Sequence, residues 1–300
     1  MTIACKARST AFRGSLRARS EAPFTSNPGT VQLQARAHRG LWQVDATVGQ
    51  QTARARPSRL FRIGKKLRHK VSAVVARSSR VGDRPVYDSA LFPWVAELEA
   101  RWPEIRLELE KILVRRDAIP PLASISPDHR RIAPPAKWKS FFLQGYGYRV
   151  EENIRRCPKT AAAIAAIPGL NSAFFSILDP GTHIPRHRGV TKAILTAHLG
   201  LIVPARRESC RMSLDDRILH WEEGRTLVFD DTFHHEVWND SDQLRAVLLI
   251  QFRRPVGLLG RLVGGLFLFG IRRSRFVQDA RAQMGQWEAA MQRLERDRQG

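Results

Sequence analysis

Short apolar runs separated by turn residues dominate the second half of this chain. Seven of them follow one another between residues 173 and 252. Closely spaced runs of strand length favour a β-sandwich or a barrel-like core. The pattern therefore predicts strands at residues 173–178, 193–203, 210–214, 218–221, 225–229, 235–238 and 245–252.

Helical spacing precedes these runs. Residues 92–116 place apolar side chains three and four positions apart on both sides of Pro103, which predicts two helices with the proline in the first turn of the second. Residues 119–135 contain five prolines and are predicted to be a loop. A strand is expected at residues 138–143, followed by an alanine-rich helix at residues 157–167.

Two further segments follow Pro255. Residues 256–271 are apolar except for Arg261 and are shorter than the roughly 20 residues that a membrane-spanning helix needs, so we expect a packed or interfacial segment. Residues 276–294 predict an amphipathic helix that docks on the core. Its apolar face would contain Phe276, Ala280, Met284, Trp287, Met291 and Leu294.

Basic residues are concentrated near the N-terminus. Residues 1–80 contain 17 Lys and Arg against Glu21 and Asp45, and so contribute +15 of the net charge of +22. Because no clear strand or helix pattern precedes residue 59, residues 1–83 are expected to form a basic, disordered extension. Its composition suits an organellar transit peptide, and it equally suits sequence upstream of the true start.

Apolar residues at helical spacing lie among the basic residues of segment 59–80. A basic amphipathic helix can lie on an anionic membrane, and a solvated extension without function is the equal alternative. Nucleic-acid binding is not expected, because no aromatic-interleaved motif accompanies the charge. Cys5, Cys157 and Cys210 form no disulfide framework and no metal-ligand spacing, which predicts a cytoplasmic protein, with peripheral membrane attachment left open.

Two histidines are the candidate metal ligands, because neutral imidazole is the commonest transition-metal ligand. His187 ends the run Gly181-Thr182-His183-Ile184-Pro185-Arg186-His187, and His235 begins the run His235-Glu236-Val237-Trp238. His183 and His234 are the fallback candidates. Ten residues after His235, Arg245 lies in an apolar strand and needs an anionic partner, either a bound carboxylate or an acidic neighbour across the sheet.

From about residue 87 to residue 255, the chain resembles the aspartyl/asparaginyl β-hydroxylase family. Five ordered blocks carry the resemblance: Phe175-Ser176-Ile177-Leu178-Asp179-Pro180-Gly181-Thr182-His183; His198-Leu199-Gly200-Leu201-Ile202-Val203-Pro204; Trp221-Glu222-Glu223-Gly224; Phe229-Asp230-Asp231 with His235-Glu236-Val237-Trp238; and Arg253-Arg254-Pro255. The resemblance implies a mainly β protein with a double-stranded β-helix core, of the jelly-roll or cupin-like kind. That core is expected at residues 171–255 of a domain at 84–255, after a helical lead-in at 84–170 and before an apolar segment and a C-terminal amphipathic helix at 256–300.

The resemblance also implies an Fe(II)- and 2-oxoglutarate-dependent dioxygenase, with O₂ as the second cosubstrate. Its substrate would be a C–H bond of a peptidyl aspartyl or asparaginyl side chain, or of a lipid acyl chain. Carried over by position, His187 and His235 are the expected iron ligands, and Arg245 is the expected partner of the distal carboxylate of 2-oxoglutarate. Ser176 and His198 are expected to contact the cosubstrate, with a structural hydrogen bond as the alternative for each.

Two positions depart from related patterns. Thr196 stands where family members commonly carry an arginine, and Lys192 is the nearest basic residue upstream. Gly189 stands where the wider class of non-heme iron oxygenases has the carboxylate of its facial triad. Glycine here resembles the animal peptidyl hydroxylases, whereas lipid A hydroxylases tend to have aspartate. Asp231 is predicted to orient the imidazole of His235, with a turn cap formed by Asp230-Asp231 as the alternative. The departures support one alternative function, a non-catalytic β-helix binding module associated with a membrane.

Overall fold

The computed structural model describes residues 34–38, 41–45, 59–126, 132 and 136–296. The chain forms two compact units, Met1–Pro57 and Ser58–Gly300. In the first unit, β1 (Gln34–His38) and β2 (Leu41–Asp45) pair as an antiparallel hairpin. Neither strand was expected from the sequence, because each has only five residues and the first contains no β-branched or aromatic side chain.

Two sheets form the centre of the second unit. The larger contains β3 (Val86–Tyr87), β4 (Trp138–Gly145), β5 (Tyr148–Arg149), β6 (Leu170–Leu178), β8 (Ile194–Ile202), β11 (Thr226–Phe229) and β13 (Arg245–Arg253). The smaller contains β7 (Thr182–His187), β9 (Cys210–Leu214), β10 (Arg217–His220) and β12 (His235–Asn239). The strand orders are β3-β11-β8-β13-β6-β4-β5 and β10-β9-β12-β7, and neighbouring strands are antiparallel.

Alternating side chains on the larger sheet pack into two different apolar layers. Along β13, Ala246, Leu248 and Ile250 belong to a cluster on the outer face of the sheet. Val247 and Leu249 belong to a second cluster, which also contains Ile184 of β7 and other side chains of the smaller sheet. The two sheets thus enclose one apolar interior, and the core is the double-stranded β-helix that was predicted. Each of the seven predicted strands is present, whereas β7 was not predicted.

Helices cover the outer face of the larger sheet. They include α2 (Trp94–Ala100), α3 (Trp102–Leu113) and α6 (Pro158–Ala165), while α4 (Leu122–Ile125) and α5 (Glu151–Arg156) are shorter. Pro103 lies in the first turn of α3, as predicted. The buried carboxylate of Glu108 accepts hydrogen bonds from the backbone N–H groups of Lys159 and Thr160, which otherwise would have no partner at the start of α6. The predicted loop at residues 119–135 contains α4.

Three more helices complete the second unit: α1 (Arg59–Arg77), α7 (Leu258–Arg273) and α8 (Arg275–Arg296). Val71 and Val75 of α1 pack with Leu268 of α7 and with Ala193 and Ile194 at the start of β8. Because of this packing, the compact unit begins at Ser58 and not at residue 84, where the sequence pattern placed the boundary.

The C-terminal helix docks as expected, since Ala280 and Met284 are buried. No helix among the described residues is long and apolar enough to cross a membrane.

Candidate active site

His187 and His235 lie directly opposite each other on β7 and β12, and their ring centroids are 4.1 Å apart. A β-bulge produces this arrangement. Between the two paired positions His235–His187 and Val237–Ile184, β12 advances by two residues and β7 by three. The extra residue turns His187 to the same face as the buried Ile184, whereas a regular strand would place it with the exposed His183.

Both imidazoles are held in the same tautomer, with the lone pair on Nε2. Nδ1 of His187 donates to the carbonyl oxygen of Pro185 at 2.8 Å, and Nδ1 of His235 donates to that of Phe233 at 3.0 Å. Because a carbonyl can only accept, each Nδ1 carries the proton and each Nε2 has the free lone pair. Burial, followed by the neighbouring His235, lowers the pKa of His187 to about 4, and burial also lowers the pKa of His235. The pair is therefore neutral at physiological pH, the form that binds metals.

Arg245 lies at the start of β13 and is almost completely buried. Its guanidinium packs over the ring of Trp221, 4.4 Å from the centroid, while Nε and Nη1 have no hydrogen-bond partner. Burial lowers the pKa of Arg245 to about 10, so the group stays charged at neutral pH. Among the described residues no carboxylate pairs with it, and its polar contact is with the Cys210 thiol. The alternative of a cross-strand salt bridge is therefore wrong.

His198 lies on β8 beside Arg245. Its Nδ1 accepts a hydrogen bond of 3.2 Å from the indole of Trp221, which can only donate, so Nε2 carries the proton. That Nε2 is buried and has no partner. Burial lowers the pKa of His198 well below its usual value, and the charge of Arg245 lowers it further. Two neighbouring residues thus have buried donors without acceptors, which is unfavourable unless a bound anion accepts from them.

Aromatic packing connects the two parts of the site. The ring of Phe229 lies 4.9 Å from that of His198 and 6.2 Å from that of His235, both in edge-on geometry. The interior therefore brings together four of the five sequence-predicted residues, in the order His187, His235, His198 and Arg245. Trp221 contacts both His198 and Arg245. The sequence analysis did not predict this role, although Trp221 lies in one of the five blocks that carry the family resemblance.

Ser176 lies on β6 with its side chain buried, and its hydroxyl accepts a hydrogen bond of 3.0 Å from the indole of Trp138. This contact is the structural alternative raised for Ser176. The hydroxyl keeps its own proton and can still donate to a ligand.

Asp231 does not have the orienting role that was considered for it. The imidazole of His235 donates to a backbone carbonyl, so no carboxylate orients it. Instead, Asp231 accepts from the hydroxyl of Thr196 at 3.2 Å, and burial together with Asp230 raises the pKa of Asp231 to about 7. A Cβ at position 189 would lie only 2.0 Å from Oδ1 of Asp231, so glycine is required there.

The turn cap considered for Asp230-Asp231 is present, and Asp230 forms it. Its Oδ1 accepts from the backbone N–H and the hydroxyl of Thr232. Its Oδ2 pairs with the buried guanidinium of Arg254 and, at 3.0 Å, with Lys192. This buried ion pair joins the loop before His235 to the end of β13. Lys192 is held in the same cluster, where it also pairs with Asp83 at 2.6 Å.

The fallback histidines lie elsewhere. His183 is exposed, bonds to Glu236 at 2.6 Å and stacks on Trp238, and His234 is exposed. Within the described part of the chain, no group of three or more His, Cys, Asp or Glu side chains could hold a metal ion. A metal at this site would therefore have two protein ligands, His187 and His235, and would take its remaining ligands from bound molecules.

The chain is similar to known hydroxylases in family and in sequence. The family model described as Aspartyl/Asparaginyl beta-hydroxylase matches residues 99–255. An ornithine lipid ester-linked acyl 2-hydroxylase of Rhizobium tropici is 40% identical over 233 residues, which cover 78% of this chain and 83% of that protein. The human aspartyl/asparaginyl beta-hydroxylase is 30% identical over 174 residues, 54% of this chain but only 23% of the human protein.

Among solved structures, the DMSP lyase DddQ of Ruegeria pomeroyi DSS-3 aligns with 39% of this chain and 47% of that chain, at 13% identity and a TM-score of 0.28. A likeness this low carries no argument, and the fold assignment rests on the strand order and the two apolar layers.

Proposed function

Because this chain belongs to the Aspartyl/Asparaginyl beta-hydroxylase family, we propose that it is an Fe(II)- and 2-oxoglutarate-dependent dioxygenase that hydroxylates a lipid acyl chain. The family supports a hydroxylase. The iron, the cosubstrate and the acyl substrate are proposed in addition, and each rests on separate observations.

The histidine pair fits a metal ion. His187 and His235 face each other, both are neutral, and both have Nδ1 fixed by a backbone carbonyl so that Nε2 is available. These two Nε2 atoms would hold the iron. When bound there, Fe(II) would activate O₂ to oxidise an unreactive C–H bond, while the protein positions the reactants and excludes water.

The unpaired donors of Arg245 and His198 carry the cosubstrate proposal. A buried guanidinium without a counter-ion is costly, and a carboxylate that accepts from Nε and Nη1 would remove that cost. The proton on Nε2 of His198 offers another donor to the same anion. A dicarboxylate such as 2-oxoglutarate can satisfy Arg245 at one end and leave its keto-acid end for the histidine pair. Trp221 orients both donor residues.

The two departures from related patterns both lie next to Asp231. Gly189 leaves space for the Asp231 carboxylate, and Thr196 donates to that carboxylate. Both positions are thus explained by packing around Asp231 and need no loss of function. Gly189 and Thr196 therefore no longer support the alternative of a non-catalytic binding module.

The acyl substrate is favoured by the extent of the match. The lipid acyl hydroxylase of Rhizobium tropici aligns over most of both chains, including regions outside residues 99–255. The human relative aligns over 54% of this chain. Glycine at position 189, which resembles the peptidyl hydroxylases, is a single position and is accounted for by Asp231. A peptidyl side chain is therefore the second candidate.

The test is cosubstrate turnover followed by product analysis. Protein loaded with Fe(II) under anaerobic conditions should release succinate from 2-oxoglutarate when air is admitted, and membrane lipids from an expressing strain should contain acyl chains with one additional oxygen atom. A strain expressing His187→Ala is the matched control. Absence of succinate with iron, 2-oxoglutarate and lipid present would contradict the proposal, and oxygen gained by peptides alone would select the second candidate.

A further inference from the structure

Helix α7 buries mainly small residues and exposes large apolar ones, which is the reverse of an ordinary surface helix. Its buried face contains Gly260, Gly264 and Leu268, which are four residues apart. Its large apolar side chains are instead exposed by between 52% and 74%: Leu258, Leu259, Leu262, Leu266 and Phe269. At 100° per residue these five positions share one face, opposite the glycines. We call this exposed set the α7 apolar face.

The glycines fix this orientation. A Cβ on Gly260 would lie 2.6 Å from Cβ of Ser78, and one on Gly264 would lie 3.3 Å from both Ala193 and Val75. Because the helix approaches α1 and β8 so closely, it cannot rotate to bury its leucines. The α7 apolar face is therefore a fixed feature of the fold, and contiguous exposed apolar surface of this kind marks an interaction site.

Positive charge surrounds the α7 apolar face. No Asp or Glu occurs between Gln243 and Gln278, and exposed arginines lie at positions 253, 261, 272, 273 and 275. Arg273 packs its guanidinium over Phe269, 4.2 Å from the ring centroid. Next to α7, a pocket of about 490 Å³ is lined by Arg80, Arg253, Arg254 and Arg261 together with apolar residues, and by no acidic residue.

We infer that the α7 apolar face docks this protein on an anionic lipid bilayer. A bilayer matches both properties of the surface, since the leucines enter the acyl region while the arginines remain among anionic headgroups. A second copy of this chain fits less well, because a symmetric contact would bring the same arginines together. Docking on the bilayer does not depend on the proposed function. Only the further statement that the bilayer contains the substrate rests on it.

The docking surface is connected to the candidate active site. Helix α1 packs against α7, and Nη2 of Arg68 on α1 donates to the carbonyl oxygen of Gly189 at 2.9 Å. Gly189 is two residues after His187. Helix α1 therefore connects α7 to the segment that joins His187 to β8, and the bilayer bound at α7 would also contain the acyl substrate.

Cosedimentation of the full-length protein with vesicles tests the docking. Wild-type protein should bind vesicles of mixed phosphatidylcholine and phosphatidylglycerol, bind pure phosphatidylcholine weakly, and be released by high salt. Leu262→Asp and Leu266→Asp should each weaken binding by about tenfold, as expected when a leucine no longer enters an apolar phase. Leu107→Asp is the matched control, because Leu107 is equally exposed but lies on α3, and it should bind like wild type.

A second measurement keeps the test valid if the aspartate variants fail to fold. An environment-sensitive fluorophore on Leu262→Cys, in a Cys5→Ser background, should shift to the blue with anionic vesicles, and the same label on Leu107→Cys should not. Equal binding by the aspartate variants and wild type, or an unshifted label at position 262, would overturn the inference. So would concentration-dependent dimers without vesicle binding. These measurements use no iron or 2-oxoglutarate, so vesicle binding without succinate release would contradict only the proposed function.

Discussion

His187 and His235 are direct cross-strand partners in the smaller sheet, and each bonds to a backbone carbonyl through Nδ1, which leaves the lone pair on Nε2. Their pairing depends on the bulge in β7. The carboxylate of Asp231 occupies the space beside Gly189, two residues after His187. The proposed iron site has these two histidines as its protein ligands, and its residues can be tested one at a time.

Alanine at either histidine should abolish turnover. His187→Ala and His235→Ala each remove one of the two proposed protein ligands, so iron content measured after desalting and succinate release should both fall to background. Circular dichroism should be unchanged, because both residues lie at strand ends. His183→Ala is the control on the same strand and should keep its iron. Retained iron in either ligand variant would reject the assignment.

Arg245→Ala should raise the requirement for 2-oxoglutarate. Removing one partner of a buried charge-assisted pair costs about 2–5 kcal/mol, which corresponds to roughly 30-fold or more in the cosubstrate concentration at half-maximal rate. Succinate release at varied 2-oxoglutarate measures the change. Arg211→Ala, at an exposed pair with Asp240, should have no such effect. An unchanged 2-oxoglutarate dependence in Arg245→Ala would return the residue to a structural role.

Trp221→Phe should separate positioning from direct binding. The phenylalanine keeps an aromatic ring under Arg245 but no longer donates to Nδ1 of His198, which frees His198 to change tautomer. Loss of about 0.5–1.5 kcal/mol should raise KM for 2-oxoglutarate by about 2- to 10-fold and change kcat less. Trp238→Phe, which stacks on the exposed His183, is the control. A fall in kcat with constant KM would show that Trp221 acts at another step.

Asp230→Asn should destabilise the fold. The substitution leaves the buried guanidinium of Arg254 with only the more distant carboxylate of Asp83, at 3.9 Å, and breaking a buried pair from one side costs about 3–5 kcal/mol. Urea denaturation followed by tryptophan fluorescence measures this loss. Glu222→Gln, in an exposed pair with Arg207, should cost less than about 1 kcal/mol. Equal stability of the two variants would show that the Arg254 cluster does not anchor the loop before His235.

The sequence determined most of the strands and helices, because their apolar patterns are local. The seven runs between residues 173 and 252 are strands, α2 and α3 meet beside Pro103, and Ala280 and Met284 of α8 are buried as their spacing predicted. The site residues were identified by resemblance to a family, and the structure brings His187, His235, His198 and Arg245 into one interior.

Only the tertiary structure decided how these residues are used. Strand β7 has Pro185 and too little alternation to be recognised, and the bulge that turns His187 inward depends on its partner β12. Within the part of the chain that the structure describes, the lack of a carboxylate partner for Arg245 depends on contacts across two sheets. The exposed leucines of α7 follow from glycines that contact α1 and β8. A local pattern predicts which side chains share a face of a helix or strand. Residues far away in the chain decide whether that face is buried against another element or stays exposed.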